Sequence, residues 1–507
     1  MHPTSRMRRS RRRWKEKAVD RGAELRGLRR RWKRAEERLA GSMERVRGLE
    51  AENAWLREPA VALPAGLPVP YGADGATGYC RRTLCVALVI QGIVSFRAVP
   101  RILLVLQHMG HAVPARIPHF TSVIHWTLRA GVAALEGVGR IEAPWIAIID
   151  CSIDIGTRKA LVVLRVPLAA LSHKGEALGL EDCECIGLEV SNRWIGDTVK
   201  DALTRAFEWA GEPRAILMDG GKDLQKGVRL YREQEDAKRI RVIEDVGHAT
   251  ANALKSEFAA SIAFTKFLDI LRKGAARIRQ TNLAALLPPK VRTKGRFQGI
   301  TEVAGWALKL QELMGGPGRA QEESDLSRLR RAFSGLAQLR AFLLRFCGTC
   351  GVVERFLKLV KNQGINQAVY AEARTLLREL PEPSSTRCRL EAWLTRQLRV
   401  QSRLGIGQLP LPVSSDVIES LFGKFKEVVQ RNPSAELNRM VYAIPMLCGQ
   451  HTADDIQLAL RKCSHRQLLA KIAREIPPTL RQLRRRLLDP DWKRVPKAGN
   501  PKRFTAG

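Results

Sequence analysis

Three acidic residues stand where their carboxylates could meet. Asp150 follows the apolar run Trp145–Ile149, and Asp219 follows a second apolar run, Ala215–Met218. Glu419 lies in a later segment whose apolar residues recur at helical spacing. Carboxylate oxygens are the ligands that Mg²⁺, and also Mn²⁺, prefer. Two such ions about 3.5–4 Å apart can activate a water molecule and stabilise the leaving oxygen of a phosphodiester.

The elements around these acids must bring them together. Apolar runs in Trp145–Ile149 and Ala215–Met218 are typical of strands covered on both faces. The intervening and following elements are predicted as strands at Lys159–Val166, Cys185–Val190 and Ile240–Ile243 and as a helix at Ile195–Gly211. This order fits the opening of an RNase H-like mixed sheet, in which the first and fourth strands are neighbours. Asp150 and Asp219 would then meet, and the Glu419 helix would pack across the sheet.

Other roles remain open for each acid. Asp219 could be a turn residue before Gly220-Gly221, and Glu419 could close a capping box with Asp416. Asp154 competes with Asp150 for the first position if the strand continues. The turn after Asp219 lacks the spacing of a nucleotide-binding phosphate loop, so ATP is not expected. A single CxxC pair, Cys347-Gly-Thr-Cys350, does not predict a zinc site.

The charge of the chain points to a polyanionic partner. The 507 residues include 86 Lys and Arg against 51 Asp and Glu, a formal net charge of +35. Such a charge predicts binding to nucleic acid, with a ribosome-associated or merely basic protein as the alternative. No run reaches the ~18 consecutive apolar residues of a membrane span, so we expect no membrane association and a cytoplasmic location near the nucleoid.

The first 60 residues predict a basic arm followed by a coiled coil. Residues 1–34 hold 15 Lys or Arg against 3 acids, although a solvated tail would have the same composition. From Leu25 to Leu56 the seam positions recur in alternating steps of three and four, which is a heptad pattern. Asn53 occupies an a position, where a buried amide favours two parallel strands. We therefore expect a homodimer or higher oligomer, unless this helix packs on its own chain.

A small helical domain is predicted at 73–140, after a linker rich in Pro and Gly. Helical spacing at 80–93, 95–107 and 119–131 suits a helix-turn-helix unit, which lays its last helix in the major groove of double-stranded DNA. The alternative is a bundle that acts only as a spacer. The candidate DNA contacts on the third helix are Thr121, Ser122, His125 and Arg129.

The rest of the chain divides around the acids. The first part of the catalytic core is predicted at 141–253, an all-helical insertion at 254–404, and the second part of the core, with the Glu419 helix, at 405–450. A basic helical tail is expected at 451–507. Three basic residues on or just beyond the Glu419 helix could contact phosphates, or could simply be solvated: Lys424, Lys426 and Arg431.

Taken together, these motifs resemble a known family. Asp150, Asp219-Gly-Gly, Asp245-Val-Gly-His248 and Ser415-Asp-Val-Ile-Glu419-Ser are similar to the DDE pattern of bacterial insertion-sequence transposases. A histidine motif after the second Asp and a long helical insertion before the Glu resemble the hAT and Mutator-like branches of that family. The resemblance covers about residues 145–450.

The resemblance implies a DNA transposase that cuts and rejoins strands at transposon ends. It implies that Asp150, Asp219 and Glu419 hold the metal ions and that His248 lies near the scissile DNA or supports the site, although a buried helix-capping histidine is the alternative. Trp306 in the insertion is similar to aromatics that stack on an unpaired base, whereas a core tryptophan is the simpler interpretation. The alternatives for the whole protein are an RNase H-like nuclease without strand transfer and a catalytically silent DNA-binding regulator.

Overall fold

The computed structural model describes residues 81–109, 116–153, 158–171, 178–234, 236–291, 297, 299–315, 325–429 and 437–488. The chain divides into two compact units, 1–78 and 79–507, and every described residue belongs to the second unit. The predicted basic arm and coiled coil lie outside the described residues, and so do Asp154 and Arg431.

A five-stranded mixed sheet lies at the centre of the described unit. Its strands are β1 Trp145–Ile153, β2 Lys159–Pro167, β3 Glu184–Ser191, β4 Ala215–Met218 and β5 Arg241–Glu244. Their order across the sheet is β3-β2-β1-β4-β5. The first three strands pair antiparallel, whereas β4 runs parallel to both β1 and β5. All five strands were predicted from apolar runs, with bounds that differ by at most a few residues.

Helices cover both faces of the sheet and make up most of the remaining chain. In chain order they are α1 Arg81–Ile90, α2 Ala98–His108, α3 Phe120–Glu136, α4 Gly196–Ala210, α5 Lys222–Arg232, α6 Val246–Phe258, α7 Ile262–Ile278, α8 Ile300–Gly315, α9 Asp325–Ala332, α10 Arg340–Gln363, α11 Gln367–Arg378, α12 Ser385–Arg403, α13 Asp416–Val429, α14 Ala453–Lys462, α15 His465–Glu475 and α16 Leu480–Leu488. The predicted mixed α and α/β fold is confirmed.

The alternation of side chains along β1 divides the core into two layers. Trp145, Ala147 and Ile149 pack in one cluster with residues of α4 and α5, such as Phe207. Ile146 and Ile148 point to the other face and join the larger cluster formed with the remaining helices. Because both faces are covered, β1 is apolar at every position up to Ile149, and the first polar side chain is Asp150.

The N-terminal helices are part of this unit rather than a separate domain. Helix α3 packs against the 3₁₀ helix Arg439–Leu447, which follows α13. A Cβ added at Gly131 would lie 1.7 Å from the carbonyl oxygen of Tyr442, so the two backbones cross in direct contact. Seven of the 17 residues of α3 are buried, and Thr121 near its start is exposed. The helix-turn-helix interpretation of the N-terminal helices stays a prediction.

The segment 254–404 is helical, as predicted. Its longest apolar stretch, Ser334–Gln363, is long and apolar enough by composition to cross a membrane. Leu343, Phe346 and Phe356 in that stretch are fully buried against neighbouring helices, which is the pattern of a core helix. Trp306 lies half-buried with its ring 5.5 Å from that of Phe333.

Gly131→Ala should destabilise the protein, because the new methyl group would collide with backbone rather than with a side chain that can move. We expect a loss of about 1–3 kcal/mol in the free energy of unfolding, measured by chemical denaturation. Gly348→Ala in α10 is the matched control. Its added Cβ meets nothing within 4 Å, so it should stabilise the helix by about 0.5–1 kcal/mol. Equal effects of the two substitutions would contradict the close crossing.

Candidate metal-dependent active site

Asp150 and Asp219 lie side by side where the parallel pairing of β1 and β4 ends. Ile149 of β1 is in register with Met218 of β4, and each acid is the next residue along its strand. Both side chains are partly buried. The predicted neighbourhood of the first and fourth strands is confirmed, and it brings the two acids together.

Backbone amides hold one oxygen of each acid. Asp150 Oδ1 accepts the N–H of Cys151 at 2.6 Å, and Asp219 Oδ1 accepts the N–H of Gly221 at 2.8 Å. Asp219 thus forms the turn that was its alternative role, and its Oδ2 remains directed towards His248. Gly220 allows this approach, since a Cβ there would lie 3.0 Å from the His248 ring.

Helix α13 presents Glu419 on its accessible side. Val417, Ile418 and Leu421 are buried beneath the helix, while Glu419 is exposed. The negative charge of Glu419 is close enough to raise the pKa of Asp150. The third acid therefore lies near the first, although they are 269 residues apart in the chain.

A buried carboxylate, Asp245, ties α13 to the end of β5. Asp245 Oδ1 accepts the N–H of His248 at 2.8 Å and so caps α6, while Oδ2 accepts the N–H and the hydroxyl of Ser415 at 2.9 and 3.0 Å. Burial alone would raise the pKa of Asp245, but its hydrogen bonds with His248 and Ser415 outweigh burial and lower it. Asp245 is therefore a fixed negative charge that positions the first residues of α13.

His248 stands between two carboxylates. Its Nε2 is 3.8 Å from Asp219 Oδ2, and its Nδ1 is 3.7 Å from Asp245 Oδ1. The interaction with Asp245 raises the pKa of His248, burial opposes it, and Asp219 adds to the rise. The side chain remains one-third exposed. His248 is thus not the deeply buried capping histidine of the alternative interpretation.

The cluster carries more negative charge than the protein itself neutralises. Burial, followed by the charges of Asp219 and Glu419, raises the pKa of Asp150 to about 7. A hard divalent cation would relieve this repulsion, and the all-oxygen donor set suits Mg²⁺. In the described part of the chain, however, no three His, Cys, Asp or Glu side chains are already placed to hold an ion. Of the three acids, Glu419 is the exposed one.

The other predicted contact residues that the structure describes lie on α13 and α3. On α13, Lys424 is half-buried and Lys426 exposed. At the start of α3, Thr121 is exposed and Ser122 is half-buried.

Two of the predicted DNA contacts on α3 are engaged within the protein. Arg129 donates to the carbonyl oxygens of Leu460 and Cys463 at 2.5 and 2.6 Å, at the end of α14. The ring of His125 lies 4.7 Å from that of His465, and burial followed by this neighbour lowers the pKa of His125. Arg129 therefore spends part of its hydrogen-bonding capacity within the protein, and DNA contacts by Arg129 and His125 stay predictions.

Sequence reasoning gave no role to Asp245 and Ser415, although both stand in the quoted motifs. The local signal was the spacing of Asp245 and His248, since an Asp three residues before a helical residue is typical of a helix cap. The partnership with Ser415 had no such signal, because it spans 170 residues.

Compared with family models and with curated proteins, the chain matches none.

Asp150→Asn should stabilise the metal-free protein at pH 8. Because the pKa of Asp150 is about 7 when folded, against an ordinary value of 3.8, the folded state binds the proton more tightly. Stability must then fall as pH rises between these values. Removing the charge should raise the free energy of unfolding by about 1–3 kcal/mol at pH 8 and should leave it unchanged at pH 3. Denaturation at both pH values, with exposed Asp201→Asn as the control, measures this. Equal stability of wild type and variant at pH 8 would contradict the charged cluster.

Asp245→Asn should weaken the fold, because an amide cannot accept all three hydrogen bonds. We expect the free energy of unfolding to fall by about 2–4 kcal/mol above pH 5. Because the pKa of Asp245 is lowered in the folded protein, its contribution to the free energy of unfolding is present above its ordinary pKa and is lost as pH falls. The stability of the variant should therefore depend less on pH on the acid side than that of the wild type. Asp455→Asn removes a similar but exposed cap on α14 and should have a much smaller effect on the urea midpoint. Equal effects would mean that Asp245 is only an ordinary cap.

Proposed function

We propose that this chain is a DNA transposase with an RNase H-like core, which cleaves phosphodiesters and joins the freed ends to target DNA in a metal-dependent reaction. The observation that carries the proposal is the convergence of three acids from distant parts of the chain. Asp150 and Asp219 directly follow the last paired residues of two neighbouring parallel strands, and Glu419 lies on a helix fastened to the same end of the sheet. The strand order β3-β2-β1-β4-β5, with its first three strands antiparallel, supports the RNase H-like assignment.

In this proposal Asp150, Asp219 and Glu419 hold Mg²⁺, with Mn²⁺ as a substitute. When bound, the ions supply an activated water and neutralise charge on the scissile phosphate. Asp150 and Asp219 provide the oxygens at the strand ends, and Glu419 closes the set by turning its exposed side chain inwards. The loss of water around partly buried carboxylates strengthens their attraction for a cation.

The remaining residues position this set. Asp245 fixes the start of α13, and therefore the point from which Glu419 reaches the acids. The Nε2 atom of His248 lies 3.8 Å from Oδ2 of Asp219. In this proposal the imidazole ring restricts the rotamers of the Asp219 carboxylate. His248 is thus a positioning residue, with its ring edge available to a phosphate oxygen.

The partner that best suits the charge of the chain is double-stranded DNA, both as transposon ends and as target. The net charge of +35 favours displacement of counterions from phosphates. Dimerisation through the predicted coiled coil at 1–60 would bring two ends together, and we propose that the enzyme acts in the cytoplasm on the nucleoid.

The test is cleavage and strand transfer on DNA that carries the sequences flanking the coding region. Asp219→Asn keeps an oxygen that can accept the turn hydrogen bond from Gly221 but removes the negative charge. Glu419→Gln likewise removes the negative charge on α13 and keeps the size of the side chain. Each should reduce cleavage in Mg²⁺ by about 100-fold or more, without additivity, because the acids act as a unit. DNA binding, measured separately, should persist.

The matched controls are Asp223→Asn and Glu427→Gln, which remove exposed carboxylates from α5 and α13. Both should cleave at nearly the normal rate. Cleavage without joined products would favour the RNase H-like nuclease, and binding without any cleavage would favour the silent regulator. Normal cleavage by Asp219→Asn would refute the assignment of the acids.

A further inference from the structure

Helix α12 carries four arginines on one exposed face. At 3.6 residues per turn their side chains fall within an arc of about 80° along a length of about 21 Å. No acid of α12 lies on this face, since Glu391 is on another side of the helix. We name this feature the arginine stripe, and all four of its members are exposed: Arg389, Arg396, Arg399 and Arg403.

The stripe borders a groove of about 660 Å³ between α12 and α6. Asn252 lines it from the α6 side, and Ser385, Cys388 and Arg389 line it from α12. Trp393 forms part of its wall but is only 2% exposed, so its ring offers no face for stacking a base. Most of the lining surface is apolar, and its charged residues are Arg389, Arg396 and Glu244.

Two contacts place this groove beside the candidate active site. Arg396 Nη2 lies 3.0 Å from Glu244 Oε2, and Gln397 Oε1 accepts the N–H of Glu244 at 3.3 Å. Glu244 ends β5 and directly precedes Asp245. Helix α12 is therefore anchored to the same sheet edge as the site, and the stripe continues from this anchor towards Arg403.

The stripe is not neutralised within the described protein. Arg396 pairs with Glu244, but among the described residues no carboxylate lies within ion-pair distance of Arg389, Arg399 or Arg403. Arg399 and Arg403 are one helical turn apart, so their like charges repel each other. A row of phosphates along the helix would relieve this repulsion and would also reach Arg389.

We infer that the arginine stripe and its groove bind the sugar-phosphate backbone of duplex DNA next to the candidate active site. Its length of about 21 Å corresponds to about six base-pair steps of 3.4 Å. A duplex fits better than a single strand, because no exposed aromatic lines the groove for base stacking. The inference rests on the proposed function for its location, since the stripe would hold DNA that continues from the cleavage point.

The test compares binding of a fluorescently labelled mixed-sequence duplex, without Mg²⁺, over a range of salt concentrations. Substituting Ala at three stripe positions leaves the Arg396 pair intact. Each lost phosphate contact makes the slope of log affinity against log salt shallower by about 0.9. The slope of the triple variant should therefore be shallower by up to about 2.7. Its affinity should fall on the order of tenfold at moderate salt. The substituted residues are Arg389, Arg399 and Arg403.

A charge-matched control removes three other exposed basic residues, on α7, at its C-terminal cap and on α10, away from the groove. This variant should keep the slope within about one unit of the unmodified protein. An equal loss in both variants would mean that only net charge matters, and it would overturn the inference. The control residues are Lys266, Arg279 and Arg340.

Cys388 gives a second measurement that needs no variant. It is an exposed cysteine in the groove lining, so bound duplex should slow its alkylation by iodoacetamide several-fold, as followed by peptide mass spectrometry. Unchanged alkylation at saturating DNA would contradict the proposed contact. Protection by duplex RNA but not by DNA would assign the groove to RNA and also overturn it.

The two proposals fail separately. If the stripe variant binds and protects Cys388 normally while Asp219→Asn abolishes cleavage, only the stripe inference is wrong. If the stripe results are as expected but no cleavage occurs in Mg²⁺, the DNA-binding role of the stripe is supported and the transposase proposal is wrong. If the unmodified protein binds no duplex DNA, both fall.

Discussion

The candidate site depends on one buried carboxylate. Asp245 accepts hydrogen bonds from the start of α6 and from Ser415 at the start of α13. A backbone hydrogen bond of 2.8 Å from Val246 to Val413 reinforces the same junction. Because these bonds join segments on either side of the long helical region, they fix where Glu419 stands relative to the sheet. A buried, fully hydrogen-bonded acid is rigid, and that rigidity is what a positioned ligand set requires.

The acids themselves work against stability. Asp150 is the first polar residue of β1, and both its burial and the charges of Asp219 and Glu419 oppose its ionisation. The surrounding sheet, covered by helices on both faces, supplies the apolar burial that offsets this cost. A cluster of carboxylates that is unfavourable in the free protein is favourable once a cation binds, so the same feature that weakens the fold is the one expected to give metal affinity.

The helical parts of the chain are joined to the sheet through close and specific contacts. Gly131 lets α3 cross the 3₁₀ helix at Tyr442 in direct backbone contact, and Arg129 bonds the last carbonyls of α14. On the other side, α12 is held to β5 through Gln397 and Arg396. These contacts join the described helices to the sheet, and they leave Arg389, Arg399 and Arg403 of the arginine stripe exposed.

The sequence by itself determined the elements and the chemistry of the acids. All five strands were predicted from the sequence, β1 from a continuous apolar run, and an acid directly after that run was recognisable because a buried strand tolerates polar residues only near its ends. Helical spacing located α13 and with it Glu419. These features depend on residues close together in the chain, where periodicity and turn preferences are direct consequences of local backbone geometry.

Only the tertiary structure decided which residues met. The bond between Asp245 and Ser415, the burial of α3 and the use of Arg129 inside the protein all join positions far apart in sequence, and no local pattern encodes such pairings. Arg129 and the stripe residue Arg399 are both helical arginines between apolar neighbours. One bonds the carbonyls of α14 and the other is exposed. The difference lies entirely in which element packs beside each helix, because long-range burial is a property of the assembled core and not of the segment.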